Sequence, residues 1–292
     1  MLPEKGITRE LSLSEVVSKT FDLYRRDFVK YTILFLVVEA IIGILTTLVN
    51  HAVILPKAPV AGSATQDYLN WLPGFFGALI TLVALTAIIT WVFYPISLGS
   101  AVKIASDDIV TGQADLAASV RFSVSRIVWI WIVGIVVGII VSIGYIALVI
   151  PGIILTIMFA LVLPVLMIEK PGFESMSRSR KLVSDRWLKT LALIIVFGII
   201  IGIASAIVSA IAGVFGVAST FVSSILSAFY LPLIPIALTV YYYSNAARVA
   251  PPQMPAAPEW VSSPGESRYC PSCGTKVAPN TMFCPSCGAK LA

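Results

Sequence analysis

The chemistry available to this chain is concentrated in residues 269–292, YCPSCGTKVAPNTMFCPSCGAKLA, which hold all four of its cysteines. Cys270 and Cys273, then Cys284 and Cys287, form two CPSCG motifs, each with a glycine that accepts the backbone angles of a tight turn. Four soft thiolates at this spacing can close a tetrahedron around one Zn²⁺ at about 2.3 Å per bond, and a set filled by protein ligands leaves no open position for a substrate. The expected metal is therefore structural. Two disulfides or a redox C-x-x-C are the competing readings; the paired motifs oppose the second, and the cytoplasmic placement argued below opposes the first. So short a segment has almost no apolar core, and metal binding should supply most of its folding free energy.

The same segment limits its own partners. Only Lys276 and Lys290 are basic between Tyr269 and Ala292, and four bound thiolates with one Zn²⁺ leave about two negative charges that cancel them. Phosphate binding needs a cluster of uncompensated cations, so nucleic acid is disfavoured and contact with a cytoplasmic protein is the expected use. Residues 249–268 contain five prolines among Ser, Ala and Gly, a linker that in extended form spans about 60 Å.

The rest of the chain has little with which to catalyse. One histidine and 15 carboxylates serve 292 residues, of which 58% are hydrophobic and 12% charged. An ordinary soluble domain is roughly 25% charged, so most of this protein is expected in a bilayer. About 20 mainly apolar residues cross a hydrocarbon core. Six such runs occur: 31–55, 72–101, 127–150, 153–168, 191–213 and 220–243, with Pro151-Gly152 as the expected turn between the third and fourth. Charged, amphipathic sequence over residues 1–30 excludes a signal peptide as the reading of the N-terminal segment. Of the 20 Lys and Arg, only Lys57 falls on the side opposite the others. Positive flanks stay in the cytoplasm, which places both termini there, as an even number of spans also requires.

Three basic, amphipathic segments precede the odd-numbered spans. Ser12 and Glu15 make a capping box, after which Leu13, Val17, Phe21, Tyr24, Phe28 and Tyr31 share one helix face opposite Glu15, Ser18, Lys19, Asp22, Arg25, Arg26 and Lys30. Phe173, Met176, Val183, Trp187 and Leu191 repeat this opposite Arg178, Lys181, Asp185 and Lys189, in a helix expected to run straight into the fifth span. Leu116, Val120, Val124 and Ile127, beside Arg121 and Arg126, form a weaker version. The pattern describes helices lying in the membrane interface, with Arg25, Arg26, Arg178 and Lys181 directed at anionic headgroups. Small residues at four-residue spacing, Gly134-Gly138-Ser142 and Gly198-Gly202-Ala206-Ala210, predict close helix packing.

Glu39 is the only carboxylate well inside any of the six runs. It is either a protonated group bonded to a neighbouring hydroxyl or part of a polar pathway through the membrane. His51 has no second ligand nearby and reads as an interface residue. Pro95, Pro164, Pro232 and Pro235 interrupt spans two, four and six, as kinks or as the broken helices of transporter sites. Glu169 should pair with Arg178 or Arg180, or cap a helix. No nucleophile, base and oxyanion set can be assembled, so no enzymatic activity is expected.

The opening LSLSEVVSKTFDLYRRDF, the central PGIILTIMFALVLPVLMIEK and the following SRSRKLVSDRW resemble the membrane domain fused to some glycerophosphodiester phosphodiesterases, and its stand-alone relatives. The resemblance covers about residues 8–245, most specifically Pro151-Gly152, Pro164, Glu169, Arg178-Ser179 and Leu182. It implies a helical membrane module without an assigned reaction, since the catalytic barrel of those enzymes is absent. The tail resembles the short zinc ribbons found at the ends of many prokaryotic membrane and regulatory proteins. The expected protein is thus all-α: an N-terminal amphipathic helix (1–30), a six-helix membrane bundle (31–248) with three interfacial helices, a linker (249–268) and a small zinc ribbon (269–292). A non-enzymatic cell-membrane organiser or adaptor is the expected function, and a small-solute transporter or channel using Glu39 is the alternative.

Overall fold

The computed structural model describes residues 6–62, 64–169, 171–249, 268–277 and 281–291. The linker expected over 249–268 lies almost wholly outside them. Residues 1–249 and 250–292 form two separate compact units.

The first unit is helical. Ser12 caps α1 (Leu13–Arg26) as the sequence predicts, with its hydroxyl accepting from the Glu15 N–H and the Glu15 carboxylate accepting from the Ser12 N–H. A single non-helical residue, Asp27, separates α1 from α2 (Phe28–Ala52), and α3 (Thr65–Thr111) returns antiparallel to it. Arg126 similarly separates α4 (Leu116–Ser125) from α5 (Ile127–Ala147). Then come α6 (Val149–Phe159), α7 (Val162–Ile168), α8 (Glu174–Val183), α9 (Trp187–Gly213), α10 (Ser219–Ser227) and α11 (Leu233–Val249). Among the described residues, five helical segments are long and apolar enough to cross a membrane: Phe28–Ala52, Thr65–Thr111, Ile127–Ala147, Val149–Ile168 and Trp187–Gly213.

Several boundaries differ from expectation. The third and fourth spans turn at Leu148, whose backbone is extended (φ −166°, ψ 151°). Pro151 lies inside the first turn of α6, where an N–H has no intrahelical partner and proline therefore costs nothing, and the Gly152 N–H donates to the Leu148 carbonyl at 3.3 Å. α8 does not run into the fifth span, because Asp185 takes a left-handed conformation (φ 65°) and redirects the chain before α9. The sixth apolar run is two helices. Pro232 cannot donate a backbone bond, and around it Phe229, Tyr230 and Leu233 donate to carbonyls three residues back, a tightened turn that ends α10 and re-aims α11.

The re-aimed α11 is the buried centre of the unit. Residues Ile236, Ala237, Thr239, Val240 and Tyr241 are all at most 2% exposed, the mark of a helix surrounded on every side. Successive residues point about 100° apart, so Tyr241, Tyr242 and Tyr243 reach three different partners. Tyr241 pairs with Thr190 of α9 at 2.9 Å, Tyr242 donates to Glu169 at 2.9 Å, and Tyr243 pairs with Ser106 of α3 at 2.7 Å. α1 packs along α11 through Val16, Thr20 and Leu23, leaving Val17, Phe21 and Tyr24 half-buried.

This tight packing lies at the end of the bundle where the charged residues collect. Toward the other end the long helices expose large aliphatic side chains, among them Ile80 and Val83 of α3, Ile139 and Ile143 of α5, and Ile203 and Ile207 of α9. The small-residue stripes do not make the expected helix contacts: a methyl group added at Gly134, Gly138, Gly198 or Gly202 would meet nothing within 4 Å. Gly134 and Gly198 line open clefts against α3 and α11 and make no close backbone approach. The close approaches occur elsewhere, at Gly43, where an added Cβ would lie 2.8 Å from the Ser224 Cβ, and at Gly144 against the backbone of Gly152.

The break between α6 and α7 precedes Pro164, which has no N–H to donate to the carbonyl of Ala160. Ser179 of α8 fills the gap, its hydroxyl donating to the Met158 carbonyl (2.8 Å) and accepting from the Leu161 N–H (3.2 Å). Ser179→Ala leaves both backbone groups without that partner in a buried position and should cost about 1–3 kcal/mol, read as a lowered unfolding midpoint in detergent. The exposed Ser177→Ala should be neutral.

Glu10 pairs with both Arg186 (2.8 and 3.0 Å) and Lys189 (2.6 Å). The hydrogen bonds from Arg186, then those from Lys189, hold its carboxyl down at about 2 from an ordinary 4.5. A lowered carboxylate contributes stability above its unfolded value and loses it as pH falls through the folded one. Stability of the wild type should therefore fall between about pH 4.5 and 2, by more than in Glu10→Gln measured over the same range.

Candidate functional site

Each half of the second unit is built the same way. The Cys270 N–H donates to the Thr275 carbonyl and the Gly274 N–H to the Cys270 carbonyl, both at 2.8 Å; Cys284 repeats this with Ala289 (2.8 Å) and Gly288 (2.9 Å). Gly274 and Gly288 have φ of 74° and 71°, a left-handed backbone that glycine adopts without steric cost. A short antiparallel pair, β1 (Arg268–Tyr269) with β2 (Lys276–Val277), flanks the first knuckle. The core is minimal: Cys270, Cys284 and Val277 are buried, with Ala289 and Leu291 packed beside them.

These turns bring the four expected ligands together. The sulfurs of Cys270, Cys273, Cys284 and Cys287 all lie within 4.8 Å of one another. Cys270 Sγ is 3.6 Å from Cys287 Sγ, and Cys273 Sγ is 3.6 Å from Cys284 Sγ. A tetrahedron with arms of about 2.3 Å has edges of about 3.8 Å, so the donor set fits a thiolate-bound metal ion with little movement. The Thr275 hydroxyl sits 3.3 Å from Cys273 Sγ. Hydrogen bonding with this side chain and with the Thr275 backbone lowers the Cys273 thiol to about 6, toward the thiolate a metal requires, whereas hydrogen bonding with the other three sulfurs pushes the Cys287 thiol up. Tyr269, Met282 and Phe283 remain exposed on this unit.

In the helical unit, the four basic residues expected at headgroups divide into two pairs. Arg26 donates through Nε to Asp108 at 2.9 Å, and Arg178 donates through Nε to Glu169 at 2.9 and 3.2 Å. Arg25 and Lys181 are exposed, and their side chains make no hydrogen bond or ion pair among the described residues. Glu39 is buried in α2 at 6% exposure, with Ser227 and Tyr94 close enough to interact. His51 is exposed at the end of the same helix.

One feature of this unit was not anticipated from the sequence. Further along the buried side of α2 a cavity of about 530 Å³ opens between α2, α3, α9 and α10, lined by Thr46, Asn50, Thr86, Thr90, Ser223 and Ser224 among others. Asn50 bridges to Thr220 at 3.2 Å. The spacing Glu39, Thr46, Asn50 keeps one helix face polar, and Ser219-Thr220 with Ser223-Ser224 places hydroxyls on successive turns. Each signal is weak until the helices are brought together.

Metal analysis of the full chain purified from membranes should give one zinc per polypeptide, lost on substitution of Cys270, Cys273, Cys284 or Cys287 by Ser. Thr275→Val should weaken retention against a competing chelator by about tenfold or more without changing the stoichiometry at saturation.

Residues 269–291 match the zinc-ribbon domain family, and the four clustered cysteines lie within that match. Neither a curated protein nor a solved structure matches the chain.

Proposed function

We propose that this protein is a non-enzymatic organiser of the cell membrane that displays a structural zinc ribbon to a cytoplasmic protein partner. The observation that carries this reading is the character of the ribbon surface. Its ligand set is filled by four thiols, leaving no coordination position for chemistry, while Tyr269, Met282 and Phe283 stand exposed on a segment of near-neutral charge. Exposed large apolar groups of this kind serve protein contact, and the same segment lacks the cation cluster that nucleic acid needs.

In this reading the bundle crosses the membrane six times, with α10 and α11 together completing the last crossing and both termini in the cytoplasm. The distribution of Lys and Arg supports that orientation, and the exposed aliphatic ends of the long helices face acyl chains. α1, α4 and α8 lie at the cytoplasmic interface, where Arg25 and Lys181 meet anionic headgroups. The zinc is single and structural. The resemblance of residues 8–245 to a phosphodiesterase-associated membrane module agrees with this architecture and supplies no reaction.

The polar cavity gives the alternative a specific observation of its own. Hydroxyls gathered in an apolar bundle, near a buried Glu39, would suit the passage of a small polar solute. Truncation after Arg248 and Glu39→Gln separate the two functions. Truncation should abolish proximity labelling of cytoplasmic proteins by the tail and any cellular phenotype, while Glu39→Gln should leave both intact. If truncation is silent and Glu39→Gln abolishes a solute flux in vesicles, the organiser reading is wrong.

A further inference from the structure

A second cleft combines apolar walls with two unused charges of opposite sign. It lies between α6, α8 and α9 and has a volume of about 360 Å³, within the range of small-molecule sites. Ile157 of α6 and Val183 of α8, both buried, form its floor, with Met158 half-buried and Ile154 exposed at its side. Arg180, Ser184, Asp185 and Trp187, none of them buried, complete the lining.

Several neighbouring charges are committed to ion pairs, and Asp185 acts on Arg186 only through its charge. Arg178 is held by Glu169, and Arg186 and Lys189 are held by Glu10. The side chains of Arg180 and Asp185 make no hydrogen bond or ion pair among the described residues. Asp185 is also the one non-glycine with positive φ among those residues, so its position at the head of α9 is fixed by the turn. Trp187 begins the long apolar helix, the place where an amphipathic ring meets the headgroup level of a bilayer. A guanidinium matches a phosphate with its fork of donors, and a carboxylate matches an ammonium.

We propose that this cleft holds one phospholipid whose headgroup carries both a phosphodiester and a primary amine. Arg180 binds the phosphate, Asp185 the ammonium, and the Ile157–Val183 floor takes the adjoining acyl chain. The proposal rests on the membrane reading of the helices and adds a headgroup preference that the general attraction of basic residues to anionic lipid does not contain. An anionic lipid without an amine would satisfy Arg180 and be repelled by Asp185.

The test uses the full chain, purified in mild detergent and offered equimolar phosphatidylethanolamine and phosphatidylglycerol, with retained lipid counted by native mass spectrometry. Asp185→Asn keeps a side chain that tolerates the left-handed backbone and removes the charge. It should lower the ratio of ethanolamine to glycerol lipid retained by about fivefold, the size expected for one charge at a membrane surface. Arg180→Gln should reduce retention of both lipids. An unchanged ratio in Asp185→Asn, or undiminished retention in Arg180→Gln, overturns the site. Membrane fractionation of the same proteins keeps the two levels apart: a chain that sediments with membranes but shows no effect of either variant contradicts the lipid site alone, whereas a chain absent from membranes contradicts the reading beneath it.

Discussion

The helical unit depends on satisfying polar groups around α11, a helix enclosed by its neighbours. Surrounded in this way, α11 has no water along most of its length, and each polar atom it carries must find a protein partner or remain costly. The three tyrosines meet that demand in three directions, fixing α9 through Thr190, the segment after α7 through Glu169, and α3 through Ser106. Arg248 donates through one terminal nitrogen to the carbonyls of Leu182 and Ser184 at the end of α8, while its Nε and the Asn245 Oδ1 have no partner among the described residues. The position of the central helix therefore sets the positions of the elements around it.

The breaks in the long apolar segments obey the same constraint. A proline that interrupts a helix frees backbone groups, and in apolar surroundings these must be recaptured. Ser179 recaptures those at the α6–α7 break, and Arg126 donates to the carbonyls of Leu166 and Met167 at the end of α7. The short helices are thus parts of the bundle's own hydrogen-bonding system. Arg26 and Arg178 serve it through Asp108 and Glu169, and only the charges left over are available to anything outside the chain.

What could be read in the sequence was local. The knuckles depend on four cysteines and two glycines within a few residues, and the Ser12–Glu15 box spans one turn, so their spacing alone specified them. The apolar runs were legible because length and composition decide whether a helix can be sheltered by lipid. Features that depend on how helices face one another were not legible. Small residues at four-residue spacing mark a helix face without saying how near a neighbour comes to it: Gly134 and Gly198 face open clefts, whereas the close approach is at Gly43. Pro151 could equally begin a helix or make a turn. The hydroxyls of Thr46, Thr86, Ser209 and Ser223 become a cavity only when four helices converge.

The two units have different needs, apolar surroundings for one and a metal ion for the other, and in the proposed function they make one molecule: a zinc-holding module presented on the cytoplasmic face of a membrane. Because all four cysteines lie in the ribbon, the natural sequence carries its own reporter. The most direct test is alkylation by a membrane-impermeant maleimide in sealed vesicles of both orientations, with and without a zinc chelator. The account predicts labelling only when the cytoplasmic face is exposed and only after chelation. Labelling from the opposite face, or full labelling with the metal still in place, would contradict it.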